Sequence, residues 1–340
     1  MLRPDRYVIP LGSWILVTGS NGYIGSQVVD TLLKLGYNVR GTVRMERPWL
    51  HEFFKSKHGP GRFESVVIPR LEDDDSLNTC MQDISGIVHV ASDMTMASDP
   101  NKVIPPVVSA TLNVMKAAQQ AGTVKRVVLT SSMCAVGFPK FNGEVVTFDT
   151  EKWNDEAVKA AWDGNSPAAL MPMIVYGASK AEGERAAWNW VKENKPNFSF
   201  NSVLPNVNFG RILHPEIGGT MMKITRDLLD GNTLVMNIPP QWRIDVEDDA
   251  RLHAAALLDP DVVSERIFGV ASPFNWTDVI GILRKLRPNN KKIPDPPENE
   301  PRDLTNMVPA KRAEELLQSF FGKGWTGIEE SLAAGIAGHE

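Results

Sequence analysis

The stretch Trp14-Ile-Leu-Val-Thr-Gly-Ser-Asn-Gly-Tyr-Ile-Gly25, running on into Ser26-Gln-Val-Val-Asp-Thr-Leu-Leu33, decides how this chain folds. Trp14 to Val17 is a short apolar run that stops at a glycine, which reads as a buried strand. Val28, Val29, Leu32 and Leu33 then recur at helical spacing. Glycines at 19, 22 and 25 let the chain turn tightly, let backbone approach a pyrophosphate and let the helix pack closely on the strand. The helix start presents unpaired N–H groups and a positive dipole end to that anion. Gly19, Asn21, Gly22, Tyr23, Ile24 and Gly25 are therefore the candidate dinucleotide contacts of the turn.

Outward from this unit, β-branched runs alternate with helical patterns over the first two hundred residues, the mark of βαβ units feeding a parallel sheet. Strands are expected at Trp14 to Thr18, Asn38 to Val43, Phe63 to Ile68, Gly86 to Val90, Lys125 to Ser131 and Ser199 to Leu204, six in all. Helices are expected at Tyr23 to Leu35, Asp74 to Gln82, Pro106 to Gln120 and Tyr176 to Glu193, with the acidic run Glu72 to Asp75 capping the second. Beyond Pro205 the rhythm breaks into helices near Gly219 to Leu229, Asp248 to Leu258, Trp276 to Leu286 and Ala310 to Phe320. Pro239-Pro240 and the proline-rich Ile293 to Pro301 are loops, because proline lacks the amide hydrogen. The expected fold is α/β, a Rossmann-type doubly wound parallel sheet with a smaller, mostly helical C-terminal substrate lobe. Residues 1–205 form the dinucleotide-binding domain and 206–340 the lobe, with segments near 243–270 returning to the first domain.

The end of the second strand, Asn38-Val-Arg-Gly-Thr-Val-Arg44, chooses the dinucleotide. An NAD site puts an acid there for the ribose 2′-hydroxyl, whereas an arginine suits a 2′-phosphate. Val43 holds the acid's place and Arg44 follows with a planar fork for phosphate, assisted by Arg47 or Arg40. NADPH is the expected cofactor.

Tyr176-Gly-Ala-Ser-Lys180 puts a phenol and an ammonium one helical turn apart on one face. A cation that favours phenolate improves the phenol as proton donor to a developing alkoxide, and the lysine also reaches the nicotinamide ribose. The strand Lys125-Arg-Val-Val-Leu-Thr-Ser-Ser132 ends in hydroxyls at the carboxyl edge of the sheet, where open α/β folds bind ligands. Ser132 is the expected carbonyl-orienting group, and Ser131 points the other way.

In these residues the chain resembles the extended short-chain dehydrogenase/reductases, and in particular the branch of dihydroflavonol reductases and of yeast and fungal carbonyl or aldehyde reductases. Thr18 to Gly25, Val39 to Arg44, Ile87 to Ser92, Leu129 to Ser132, Asp149 to Trp153, Tyr176 to Lys180, Leu204-Pro-Asn206 and Asp245 to Ala250 carry the resemblance. It implies NADPH-dependent reduction of a small-molecule ketone or aldehyde, with Ser132, Tyr176 and Lys180 catalytic and Arg44 on the 2′-phosphate. It also implies Ala91 and Ser92 beside the cofactor, Tyr176 and Lys180 touching it, and Pro205 where backbone meets the nicotinamide. Asn206, Gln241 and Trp242 are candidate substrate contacts, Trp242 in a stiff loop as a wall. One departure is Arg70, which stands where the family has an acid that contacts adenine. Two other functions remain open to the fold: an NAD-dependent nucleotide-sugar epimerase or dehydratase, and a non-catalytic NADPH sensor.

The bulk composition narrows the partners. A net charge of −5 over 340 residues offers no basic footprint for nucleic acid. The first apolar run is too short for a secretory signal and none spans a bilayer, so a cytoplasmic protein without membrane contact is expected, a monomer or homodimer. Cys80 and Cys134 are expected free, and the six histidines have no metal-ligand spacing, so no metal is expected. His89, on an apolar strand, reads as a satisfied histidine in the core or at the cofactor edge.

Overall fold

Ile15, Leu16, Val17 and Thr18 are all fully buried, so the strand they form has no face left for water. The structure, a computed structural model, describes residues 2–218 and 220–339. In chain order its first half comprises β1 (Trp14–Thr18), α1 (Tyr23–Lys34), β2 (Asn38–Val43), α2 (Pro48–His58), β3 (Phe63–Val67), β4 (Ile84–His89), α3 (Pro100–Ala121), β5 (Arg126–Thr130), β6 (Thr147–Phe148), α4 (Asp155–Trp162) and α5 (Met171–Asn194). Then follow β7 (Ser199–Pro205), β8 (Val207–Phe209), α6 (Thr220–Arg226), β9 (Gln241–Asp245), α7 (Val246–Leu258), β10 (Arg266–Gly269), β11 (Ser272–Phe274), α8 (Trp276–Leu286), β12 (Asn306–Met307), α9 (Ala310–Phe321) and α10 (Ile328–Gly335). No helix among the described residues is long and apolar enough to cross a membrane.

Seven strands form one sheet in the order β10-β7-β5-β4-β1-β2-β3, parallel at every pairing. Successive residues of β1 serve opposite faces: Ile15 and Val17 join a cluster with Val28 and Leu32 of α1, Leu257 of α7 and Leu316 of α9, whereas Leu16 joins Val114 and Met115 of α3. Chain order reverses direction at β1, with β2 to one side and β4 to the other. That crevice, at the carboxyl ends of the strands, is where such sheets take ligands.

Six expected strands are thus seven, because Arg266–Gly269 pairs with β7 at the edge. Between β3 and β4 the expected helix 74–82 is absent: a loop with one short 3-10 turn, Asn78–Cys80, buries Leu77, Cys80 and Met81. Those apolar positions mimic a helical period, but Asp75 lies in the left-handed region at φ 59 and its carboxylate accepts from Asn78. Asp side chains that bond locally compete with helix formation, and the run 72–75 therefore caps nothing. Helix α2 was not expected, although Pro48 at its first turn, the buried Leu50 and Phe54, and Gly59 at its end are ordinary helix signals. Helix α3 begins at Pro100 under an Asp99 cap and runs through Pro105 and Pro106, and α5 begins at Met171, so Tyr176 lies inside the helix and not at its start.

The second lobe is less helical than its composition suggests. It carries the three-stranded sheet β11-β9-β8, packed with α6, α8 and α10 around Phe209, Phe274 and Trp276. Helices α7 and α9 belong to the core under the main sheet. Gly219, the expected start of a lobe helix, lies outside the described residues.

Gly25 has a specific steric reason. A Cβ there would stand 2.2 Å from the carbonyl oxygen of Gly19, whereas one at Gly281, on the exposed side of α8, meets nothing within 4 Å among the described residues. Gly25→Ala is expected to lose about 1–3 kcal/mol by overpacking, while Gly281→Ala gains about 0.5–1 kcal/mol from helix propensity. Denaturant unfolding of the two variants, with opposite displacements of the midpoint, checks this.

Candidate active site

The turn between β1 and α1 is built for close approach. Gly19 takes φ +67, and its α-carbon lies so near β4 that a side chain would press on Ala91 at 3.1 Å. Helix α1 starts at Gly22 with no side-chain cap and no acid in its first turn, so its leading N–H groups and dipole are free for an anion. Thr18 ties the turn to the neighbouring strand: its Oγ1 accepts from the N–H groups of Val90 and Ala91, both at 3.0 Å, and meets His89 Nδ1 at 2.8 Å. Burial and, secondarily, the Lys180 cation push His89 down to about 3. With Oγ1 already accepting from two N–H groups, the Thr18 hydroxyl has its hydrogen to donate to the neutral ring, and His89 is the satisfied histidine expected from its strand.

A cleft runs from Arg44, Ile68 and Glu72 past Ala91 and Ser92 to Thr130 and Lys180. Arg44 is exposed, with Nη2 3.4 Å from the carbonyl of Ser92, so its fork remains available to a phosphate. Arg40 is not available: it donates to the carbonyls of Cys80 and Gln82, each at 2.8 Å, pairs with Glu64, and lies over Trp14. Arg70 is turned to its own loop, paired with Glu72 at 3.2 Å and Asp73 at 3.1 Å. Glu72, two residues beyond the family's usual acid, lines the cleft instead. The glycine turn and helix start adjoin this cleft through Gly19 against Ala91, and Arg44 leaves its guanidinium at one end, a set of residues that a dinucleotide fits.

At the other end, three consecutive hydroxyls close β5. Thr130 Oγ1 meets His253 Nε2 of α7 at 2.7 Å, and Ser131 donates to Glu184 of α5 at 2.8 Å. Ser132, as expected the odd one out, accepts from the N–H of Cys134 at 3.1 Å, and its hydroxyl faces the Tyr176 phenol. On α5, Lys180 is buried, donates Nζ to the Thr130 carbonyl at 3.2 Å and stands 5.9 Å from the Tyr176 ring centroid. Burial pulls Lys180 down to about 8, with Cys134 and Glu184 acting the other way. Tyr176 departs from the expectation of a cation-stabilised phenolate. Burial, with Cys134 adding, pushes its phenol well above the usual tyrosine range, and the Ser132 hydrogen bond only partly opposes this. A low-polarity surrounding penalises the phenolate, so the group is held as a proton donor.

Not every expected residue lines the cleft. Arg44, Ala91, Ser92 and Lys180 do; Ser132, Tyr176, the turn residues 19–25 and Pro205 do not. Tyr23 sends its hydroxyl to the carbonyl of Gly210 at 2.8 Å, tying turn to lobe. Pro205 ends β7 opposite Gly269, the Asn206 carbonyl accepts from Asn208 at 3.1 Å, and Gln241 folds back on the Pro239 carbonyl at 3.3 Å. Trp242 packs on a cluster with Met133 and Val136, just downstream of Ser132, its buried Nε1 without a partner among the described residues. The reading of the sequence overlooked Thr18, Thr130, Glu184 and His253. Only Glu184 left a signal there, following Lys180 by the same four residues that separate Lys180 from Tyr176.

Residues 15–271 match the family described as the NAD dependent epimerase/dehydratase family. The chain is 46% identical over 342 residues to the ketoreductase adrE of Penicillium roqueforti, covering 99% of each chain. It is 35% identical to aldehyde reductase 2 of Sporidiobolus salmonicolor, covering 98% of this chain and 97% of that one. Among solved structures it is similar to the yeast methylglyoxal/isovaleraldehyde reductase Gre2 complexed with NADPH, with a TM-score of 0.78, 26% identity, and 95% and 96% of the two chains covered.

Lys180 is expected to depart from an unperturbed lysine amine, which loses its proton at ~10.4. Acylation of its amine, followed residue by residue by peptide mass spectrometry, should rise with a midpoint near 8; a midpoint shared with the surface lysines would contradict the burial.

Proposed function

The chain belongs to the NAD dependent epimerase/dehydratase family, and we propose that within it the chain is an NADPH-dependent reductase of small ketones or aldehydes. One observation carries the reading: Tyr176 and Lys180 stand one turn apart on α5, with the Lys180 ammonium bonded to the end of the strand that delivers Ser132. The names of the relatives similar over their whole length, a ketoreductase and an aldehyde reductase, support it.

In this reading the turn Gly19 to Gly25 and the start of α1 hold the pyrophosphate, and Arg44 grips the 2′-phosphate. Ala91, Ser92 and Pro205 border the cofactor, and Lys180 also holds the nicotinamide ribose. Reduced nicotinamide bound there supplies the hydride. The Ser132 hydroxyl donates to the carbonyl oxygen and orients it. Tyr176, kept protonated by burial, gives its proton to that oxygen as negative charge develops, and the Lys180 ammonium stabilises the phenolate left behind. Asn206, Gln241 and Trp242 border the substrate on the lobe side. The absence of an acid at the end of β2, where Val43 and Arg44 stand, weighs against a resident NAD of the nucleotide-sugar enzymes.

The test is NADPH consumption with a panel of β-keto esters, aryl ketones and aldehydes; no oxidation with any of them would overturn the reading. Tyr176→Phe is expected to bind NADPH normally and lose about 10²–10⁴-fold in kcat. Arg44→Ala is expected to weaken NADPH by about 1.5–3 kcal/mol, the worth of charge-assisted hydrogen bonds, while NADH binding stays unchanged in titration calorimetry. Because Lys180 is cationic below about 8, kcat/KM for reduction should hold at neutral pH and fall as pH rises through that value.

A further inference from the structure

Glu184 has no part in the chemistry just described, yet it is buried and accepts five hydrogen bonds. They come from Ser131 at 2.8 Å, Ser202 at 2.6 Å, the Trp188 indole at 3.2 Å, and Arg266 through Nε at 2.8 Å and Nη2 at 3.1 Å. Five donors converge on its two oxygens, which suits a carboxylate and leaves no place for a carboxyl proton. Arg266 is itself fixed, donating to the carbonyls of Thr150 at 2.6 Å and Lys152 at 2.9 Å and lying 3.9 Å over the Trp153 ring.

Such an anion is costly to bury unless its position matters or its partners are complete. Tyr176, Lys180 and Glu184 follow each other at four-residue intervals, so the carboxylate is the next group along the helical face that carries the phenol and the ammonium. Lys180, Glu184 and Ser131 border one cleft.

We propose that Glu184 is a positioning residue for the reduction: its buried charge, anchored by Arg266, keeps the Lys180 ammonium charged beside Tyr176, and its bond to Ser131 fixes the strand end that presents Ser132. The inference rests on the reductase reading. Among the other groups around Lys180, Cys134 acts in the same direction as Glu184 but is not a carboxylate fixed by five donors. His89 on β4 is neutral, and burial holds the Cys134 thiol and the Tyr176 phenol protonated. On α7, His253 Nδ1 bonds the Asp249 backbone carbonyl at 2.8 Å, with the Asp249 carboxylate 3.2 Å from that ring, on the far side of Thr130 from Glu184. Arg44, Glu72 and Asp93 stand along the rest of the cleft and are partly or fully solvated, so their fields are screened. Helix α3 lines the cleft with Pro106, Val107, Ala110 and Thr111 and brings no charge. Glu184 is the anion buried together with the ammonium.

The experiment follows Lys180 in the full-length protein by two readouts, the pH dependence of its amine acylation and the alkaline midpoint of kcat/KM. In Glu184→Gln both midpoints are expected to fall by about one pH unit, the lower end of what an adjacent opposite charge contributes. Glu184→Asp, which restores the charge, should bring them back toward about 8. Arg266→Gln leaves the anion in place and should leave the midpoints at or above those of the unmodified protein. Identical midpoints in Glu184→Gln and the unmodified protein overturn the proposal, as does an equal fall in Glu184→Gln and Arg266→Gln, the mark of a loosened fold. Should Glu184→Gln not fold, Arg266→Gln decides alone: a fall there refutes and its absence supports. Acylation needs no turnover, so a chain that reduces no carbonyl defeats the reductase reading while the test of Glu184 still stands.

Discussion

The seam between α5 and the end of β5 is held from both faces of the sheet, and the site depends on that hold. Thr130 bonds His253 on one side while Ser131 bonds Glu184 on the other, and the Thr130 carbonyl takes the Lys180 ammonium. Side chains alternate along a strand, so two adjacent hydroxyls anchored on opposite faces leave the third residue, Ser132, little freedom of twist. A strand end is otherwise the part of a sheet most free to fray. Here it is clamped because two helices, α5 and α7, each bring a buried polar partner to it.

The clamp has an energetic asymmetry. A buried pair such as Glu184 with Arg266 contributes little net stability relative to apolar groups of the same shape, yet removing one partner strands a charge at about 3–5 kcal/mol. Such a pair is better understood as a fixer of geometry than as a source of stability. The hydrophobic clusters on the two faces of β1 supply the stability, and the polar seam selects which arrangement of α5 on β5 they stabilise.

How much was legible in the sequence follows from how local each feature is. The turn from Gly19 to Gly25, the spacing of Tyr176 and Lys180, and the strands β1, β2 and β5 are contained in single elements or in neighbouring ones, and periodicity displays them. A return of segments near 243–270 to the first domain was expected, but the edge strand Arg266–Gly269 itself was not, since four residues make a strand only by pairing with β7. Loop 70–83 misled for the opposite reason: Leu77, Cys80 and Met81 have a helical rhythm but face the core from a loop. The pairs Thr18 with His89 and Thr130 with His253 join residues 71 and 123 positions apart, and no rule of spacing connects them. Tyr176 shows the limit for electrostatics. Its four-residue distance from a lysine argues for a lowered phenol pKa, but burial, which spacing does not reveal, acts the other way and prevails.

Local contacts join the sheet β11-β9-β8 to the end of β5. Helix α7 leaves the lobe sheet directly after β9, whose last residue, Asp245, caps it by accepting from the Glu247 N–H at 2.8 Å. Eight residues later the helix delivers His253 to Thr130. Tyr23, in the first turn of α1, reaches across to Gly210 beside that same Asp245, whose Oδ2 would lie 2.8 Å from any Cβ placed on the glycine. The lobe strand bearing Gln241 and Trp242 is therefore continuous with the helix that fixes the end of β5. The strand that bears Gln241 and Trp242 and the bond between His253 and Thr130 thus meet in one helix, α7.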